Sequence, residues 1–315
     1  MTLTELKYVV AVARERHFGR AAEACFVSQP TLSVGIKKLE NELGVTIFER
    51  GSGEIAVTPV GERIVEQAQS VLEQADAIHA TAQGGANPLR GPLRLGVIPT
   101  IGLYLLPYLV PQIISSTPGM PLILEENFTV VLLERLRKGE IDVAILAEPF
   151  AERGLVTRAL YDEPFVVAVP LTHPWAERSA IRSIELKGEN MLLLGQGHCF
   201  RDQVLEVCPE MSRFAQASAG IQRTFEGSSL ETIRHMVASG IGITVLPVMA
   251  VPAERGEGLL RYVPFVAPAP VRRVVLAWRK GFPRAEAIEA LYDALRHIDI
   301  PEVRMCADDQ PVEHG

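Results

Sequence analysis

From Leu93 onward the chain alternates short apolar runs with segments of helical periodicity, and this alternation constrains the fold more than any other feature. Leu93-Arg94-Leu95-Gly96-Val97-Ile98, Ile141–Leu146, Phe165–Val169, Ile243–Leu246 and Val274–Trp278 read as strands, and Met191-Leu192-Leu193-Leu194 as a further buried one. Pro99-Thr100 opens a helix over Leu103–Ile114, Ser228 or Ser229 caps one that ends at Ser239-Gly240, and Ala285–Ile298 closes the series. The pattern predicts an α/β domain with parallel sheets, long enough for two small lobes. Ligands in such folds sit at the C-terminal ends of strands, near helix N-termini. Thr100 and the Gly197-His198-Cys199 turn both occupy that kind of position.

The N-terminal residues follow a different pattern. Leu6, Val9, Val10 and Ala13 repeat with helical spacing, and Gly19–Cys25 gives a short second helix with Phe18 as an anchor just before it. Ser28 then reads as an N-cap with Pro30 in the first turn of a third helix. Leu32, Ile36, Leu39 and Leu43 mark its buried face, and Gly44 its C-terminal cap. Gln29, Thr31, Ser33 and Lys37 remain free to read DNA: Gln suits adenine, Ser and Thr either base, Lys guanine or phosphate. Ile47–Arg50 and Ile55–Thr58 read as a hairpin wing, with Arg50 on the DNA backbone or minor groove. The pattern is a winged helix-turn-helix over residues 1–58; a small helical dimerisation domain with a polar face is the alternative. Charge gives no support, since the net charge is −7 and residues 1–50 hold seven Lys/Arg against six Asp/Glu.

Thr58-Pro59 begins the next helix, and Ile64, Ala68, Val71, Ala75, Ile78 and Ala82 alternate by four and three residues. This predicts a coiled-coil seam that pairs two chains through residues 59–88, with Gln83–Pro88 as a hinge. The sensor then spans 89–302, and 303–315 read as a flexible tail with no assigned function.

Two of the four cysteines, Cys199 and Cys208, lie nine residues apart. A Gly-rich turn presents Cys199 near the start of a short helix, where exposed N–H groups favour a thiolate, and His198 and Arg201 bring positive charge within reach. Cys208 is a candidate resolving thiol. Nine residues of helix span roughly 13 Å, whereas a disulfide needs Cα atoms within about 7 Å, so oxidation would have to unwind the segment. Zinc held by His198, Cys199 and Cys208 is the weaker alternative, because no further ligand spacing supports it. A lone cysteine is most often a small buried hydrophobe, the reading for Cys25 and Cys306.

Ala21-Ala22-Glu23, Ser28-Gln29-Pro30-Thr31-Leu32-Ser33, Ile36-Lys37-Lys38-Leu39-Glu40 and Leu43–Arg50 resemble the DNA-binding domain of LysR-type transcriptional regulators over residues 3–66. Gly195–Gln203 with Cys208, supported by Pro99-Thr100-Ile101-Gly102 and Phe225–Thr232, resembles the peroxide-responsive OxyR branch of that family across almost the whole chain. The resemblance implies a periplasmic-binding-protein-like two-lobe sensor and no enzymatic activity. It implies a transcription regulator, mainly an activator, of the oxidative stress response. It places the peroxide-reacting thiol at Cys199 and the resolving thiol at Cys208, with Thr100, Thr129, His198, Arg201 and Asp202 around or behind the sulfur. An arginine near residue 270 is also expected there, and Arg272 fits the spacing better than Arg273. Implied partners are promoter DNA bound through residues including Gln29, Pro30, Thr31, Ser33, Lys37 and Arg50, RNA polymerase, hydrogen peroxide, thiol reductants of the glutaredoxin or glutathione kind, and further copies of the chain, as a dimer through the linker helix and then a tetramer. No metal or organic cofactor is implied.

The N-terminus lacks a signal-peptide pattern and no apolar run approaches the ~20 residues that span a bilayer, so the expected location is the cytoplasm, with no membrane partner. Competing readings are a LysR-type regulator with a small organic effector, a thiol peroxidase and a solute-binding protein. The first needs no cysteine pair, the second no residues 1–58, and the third would need export.

Overall fold

The computed structural model describes residues 1–49, 55–82, 87–151, 153–207, 229–252, 258–300, 302–306 and 311–314. Helix α1 (Leu3–Glu15) starts on a capping box between Thr2 and Glu5. Helix α2 (Phe18–Ala24) starts on His17, whose Nδ1 accepts from the N–H groups of Gly19 and Arg20. Phe18 is therefore the first residue of α2 rather than an anchor ahead of it. In α3 (Gln29–Leu43), Ser28 caps the N-terminus, Pro30 sits in the first turn and Gly44, at φ +69°, ends the helix. Leu32, Ile36 and Leu39 are fully buried, but Leu43 is 41% exposed, contrary to its place in the apolar repeat. The chain reverses at Gly44 immediately after Leu43 and leaves the side chain uncovered. Glu40 is buried instead, and its Oε1 accepts the Ile47 and Phe48 N–H groups at 2.8 and 3.2 Å. Strands β1 (Phe48–Glu49) and β2 (Ala56–Val57) pair antiparallel as the wing. Arg50 lies outside the described residues.

Helix α4 (Pro59–Ala82) begins against that wing: a Cβ at Gly61 would stand 2.3 Å from the Ile47 carbonyl oxygen, so only glycine permits the approach. The apolar seam of α4 is divided. Ala68 is buried and Ile64 packs beside it in the core formed by α1, α2 and α3. Val71 and Ile78, at 43% and 70% exposure, face outward. The first half of the predicted pairing seam thus serves its own chain, because α1 offers an apolar face there.

In the C-terminal part, β3 (Leu93–Val97) pairs in parallel with β4 (Leu122–Glu126) and β5 (Val143–Ala147). The other pairings between named strands are antiparallel, which corrects the expectation of parallel sheets. The cause is β6 (Leu155–Pro170), a 16-residue strand that passes from one lobe to the other. Its first part pairs with β9 (Val271–Arg279), and its end pairs with β7 (Thr244–Pro247) and β8 (Leu260–Pro264). Strands that return along a single through-going strand run antiparallel to it. Met191, Leu192 and Leu194 are buried as expected and Leu193 partly so, but the run makes a parallel bridge, from Met191 to Ile243, rather than a strand.

Two cores result. Helices α5 (Pro99–Ser116), α6 (Thr129–Arg137) and α9 (Ala285–Arg296) contribute Ile101, Leu132 and Leu291 to the first. Helices α7 (Cys199–Val207) and α8 (Leu230–Ala238) contribute Phe200 and Ile233 to the second. Tyr104 of α5 donates to Glu231 of α8 at 2.9 Å across the boundary. The linker is tied to the first lobe by an ion pair between Glu73 and Arg279 at 2.9 Å. Residues read as a free tail instead add strands β10 (Arg304–Met305) and β11 (Val312–Glu313) to β6. They satisfy edge N–H and C=O groups of β6 that would otherwise stand open.

Candidate thiol site and DNA-reading helix

Three helices begin at one place, at the boundary between the two lobes. Thr100 is the second residue of α5, Thr129 the first of α6 and Cys199 the first of α7. Arg272, on β9, joins two of these starts. Its Nη1 donates to Thr100 Oγ1 at 2.9 Å, its Nη2 to the Thr100 carbonyl at 3.0 Å, and its guanidinium stands 5.2 Å from the Phe200 ring centre. The third start is brought in by an edge-to-face contact of Phe128 with His198, ring centres 4.8 Å apart. Gly197, at φ +95°, makes the turn into α7 that allows this approach. The partial positive charges of three N-termini therefore converge near Cys199, which packs half-buried against the first core while Phe200 is buried in the second.

The structure separates the sequence-predicted residues by task. Arg272 is fully buried, whereas Arg273 points to the exposed face and pairs with Asp162, which settles which of the two arginines turns inward. His198 is buried, and burial pushes its pKa below the usual histidine value. This corrects the expectation that it adds positive charge: it is a neutral ring packed on Phe128. Arg201 donates to the Leu194 carbonyl at 2.7 Å, pinning the loop ahead of α7. Asp202 is exposed in the first turn of α7. Thr129 Oγ1 is buried without a hydrogen-bond partner among the described residues. Gln203 donates to the Glu148 carbonyl at 2.8 Å and so ties α7 to the first lobe. Cys208 lies outside the described residues.

On α3, Gln29, Pro30, Thr31 and Lys37 are exposed and Ser33 is half-buried. The Thr31 hydroxyl is 2.8 Å from Ser28 Oγ and shares in the cap. Sequence reasoning missed two residues. Phe26, in the turn before α3, is 96% exposed at φ +55°, and an aromatic just ahead of the Ser28 cap was the available signal. Glu163 is fully buried beside Arg272, and its signal was a carboxylate two residues ahead of the apolar run Phe165–Val169.

A winged helix-turn-helix joined by a long helix to a two-lobed sensor defines a DNA-binding regulator. The model for the bacterial regulatory helix-turn-helix protein of the lysR family matches residues 3–62, and that for the LysR substrate binding domain matches residues 86–298. The DNA-binding transcriptional dual regulator OxyR of Escherichia coli is 41% identical over 296 residues, 94% of this chain and 95% of that protein. A full-length cysteine-to-aspartate variant of OxyR from Pseudomonas aeruginosa is 54% identical, covers 95% of this chain and 99% of its own, and superposes with a TM-score of 0.75. A cysteine-to-serine variant of OxyR from Corynebacterium glutamicum with hydrogen peroxide bound is 34% identical, covers 94% of this chain and 91% of its own, with a TM-score of 0.63. The chain belongs to the LysR family of transcriptional regulators, in its OxyR branch. It is not an enzyme. Among the described residues no helix is long and apolar enough to cross a membrane.

Proposed function

We propose that this regulator senses hydrogen peroxide through Cys199 and answers it at promoter DNA. The observation that carries the reading is the placement of Cys199 on the first residue of α7, where three helix N-termini meet at the boundary of the lobes. Such a place sets the partial positive charge of helix ends beside the sulfur. The thiolate attacks one peroxide oxygen, the O–O bond breaks, and the departing oxygen takes a proton and leaves as water. Cys199 becomes a sulfenic acid, which the Cys208 thiol captures as a disulfide with loss of a second water. The Thr100 and Thr129 hydroxyls hold the peroxide, Arg272 fixes Thr100, and His198, Arg201 and Asp202 shape the loop.

Helix α7 runs through Val207, roughly 12 Å along its axis from Cys199 at 1.5 Å per residue. A bond from Cys199 to the residue after Val207 therefore requires α7 to unwind. That rearrangement is the signal. Pairing through the exposed Val71 and Ile78 of α4, and then association into a tetramer, transmits it to DNA-binding domains that read the promoter with Gln29, Pro30, Thr31, Ser33, Lys37 and Arg50. RNA polymerase responds to the changed DNA complex, and glutaredoxin- or glutathione-like reductants in the cytoplasm reset the thiols. Replacing Cys199 by Ser tests the reading: the variant should bind promoter DNA as the unsubstituted protein does and lose its response to peroxide. A peroxide response retained in Cys199→Ser would contradict it.

A further inference from the structure

We infer that Glu163 is a positioning residue for the reaction of Cys199 with peroxide, acting through Arg272 and Thr100. This rests on the proposed function and deepens it. Glu163 and Arg272 form an ion pair at 2.7 Å whose side chains are both fully buried. Glu163 Oε2 accepts from Arg272 Nε at 2.8 Å, and Oε1 accepts the Met249 N–H at 3.0 Å. The carboxylate is thus held from two sides by donors, and it holds the guanidinium in one orientation.

The consequence falls on a proton. Arg272 Nη1 has no lone pair to offer and donates to Thr100 Oγ1. A threonine hydroxyl has a single hydrogen, so with one lone pair taken by Arg272 that hydrogen is presented to a third group. Thr100 is thereby set as a donor at the start of α5, beside the start of α7. When the Cys199 sulfur attacks peroxide, sulfur is oxidised by two electrons, the O–O bond breaks, and the electron pair goes to the departing oxygen. A donor already aimed at that oxygen stabilises the charge as it develops. Glu163 also pairs with Arg272, so the guanidinium stands beside the helix ends as a neutralised pair.

Glu163→Gln separates these roles, because both neighbours of the carboxylate are donors and an amide has only one acceptor oxygen. Either the Met249 N–H or Arg272 then faces the amide NH₂, and Thr100 loses its fixed orientation. The full chain carrying Cys208→Ser is treated with peroxide, and sulfenic acid on the Cys199 peptide is trapped with dimedone and followed by mass spectrometry. Alkylation by iodoacetamide is followed in parallel; it needs the thiolate but no donor to its leaving group. With Glu163→Gln the peroxide rate should fall roughly tenfold or more. The alkylation rate should stay within about threefold or rise, because it needs no donor from Thr100 and an unneutralised Arg272 adds positive charge near the sulfur. A peroxide rate within about twofold of the parent, or two rates that fall together, would overturn the inference. Should Glu163→Gln fold poorly, Glu163→Leu is introduced beside Arg272→Met, so that neither charge is left unpaired. The double variant should react with peroxide no more slowly than Arg272→Met alone, and a further loss would overturn the inference. Absence of sulfenic acid when Glu163 and Arg272 are both intact would instead overturn the proposed function, and this inference with it.

Discussion

Glu40 and His198 illustrate how single buried polar groups set local structure here. Glu40 accepts two backbone N–H groups that would otherwise be sealed beneath the wing without an acceptor. Glu40→Ala should therefore destabilise the N-terminal domain by about 1–3 kcal/mol, the cost of leaving buried donors unsatisfied. Glu40→Gln keeps one acceptor oxygen and should cost less, and urea unfolding of the two variants measures the difference. His198 acts through pH. Burial lowers its folded pKa below the ordinary 6.5, so the unfolded chain takes up a proton that the folded site refuses. Its contribution is fully present above 6.5 and is lost as pH falls below that value. Between about pH 8 and pH 5.5 the melting temperature should drop further in the parent than in His198→Gln. Equal drops would contradict a buried neutral imidazole.

Among the elements, α4 divides its apolar residues between two tasks, and neighbouring substitutions should separate them. Ala68 is buried in the core of its own chain, so Ala68→Asp should unfold the N-terminal domain. Val71 is exposed, so Val71→Asp should leave that domain folded and reduce the oligomer mass seen by light scattering. An unchanged mass would move the pairing surface off α4. This division was not legible in the four-and-three spacing, which reports a stripe but not whether α1 or a second chain covers it. Helix α3 was legible almost whole, because Ser28, Pro30 and Gly44 act within a turn of where they stand. The direction of the sheets was not, since β6 runs through both lobes and its partners come from distant segments. The same limit applies to the site. The Gly-rich turn and Cys199 announced themselves locally. The neutrality of His198 depends on its burial beside Phe128, and the grip of Glu163 on Arg272 is made between strands 109 residues apart.

Over the whole molecule, α7 bridges the two lobes. Phe200 anchors it in the second core, in edge-to-face contact with Phe165 at 5.2 Å, while Gln203 ties it to Glu148 in the first. Loss of α7 would therefore release a bridge between lobes and the packing on both sides of it. Glu73 and Arg279 join α4 to the first lobe, so under the proposed function the linker would receive that change through them. A small chemical event at one sulfur can in this way alter the arrangement of paired DNA-binding domains. If peroxide acts by unwinding α7, amide hydrogen exchange over residues 199–207 changes when the protein is oxidised. These amides should lose protection on oxidation of the parent protein and keep it when Cys208→Ser blocks the disulfide. Equal protection in the reduced and oxidised parent would mean that α7 does not unwind, even with the disulfide fully formed.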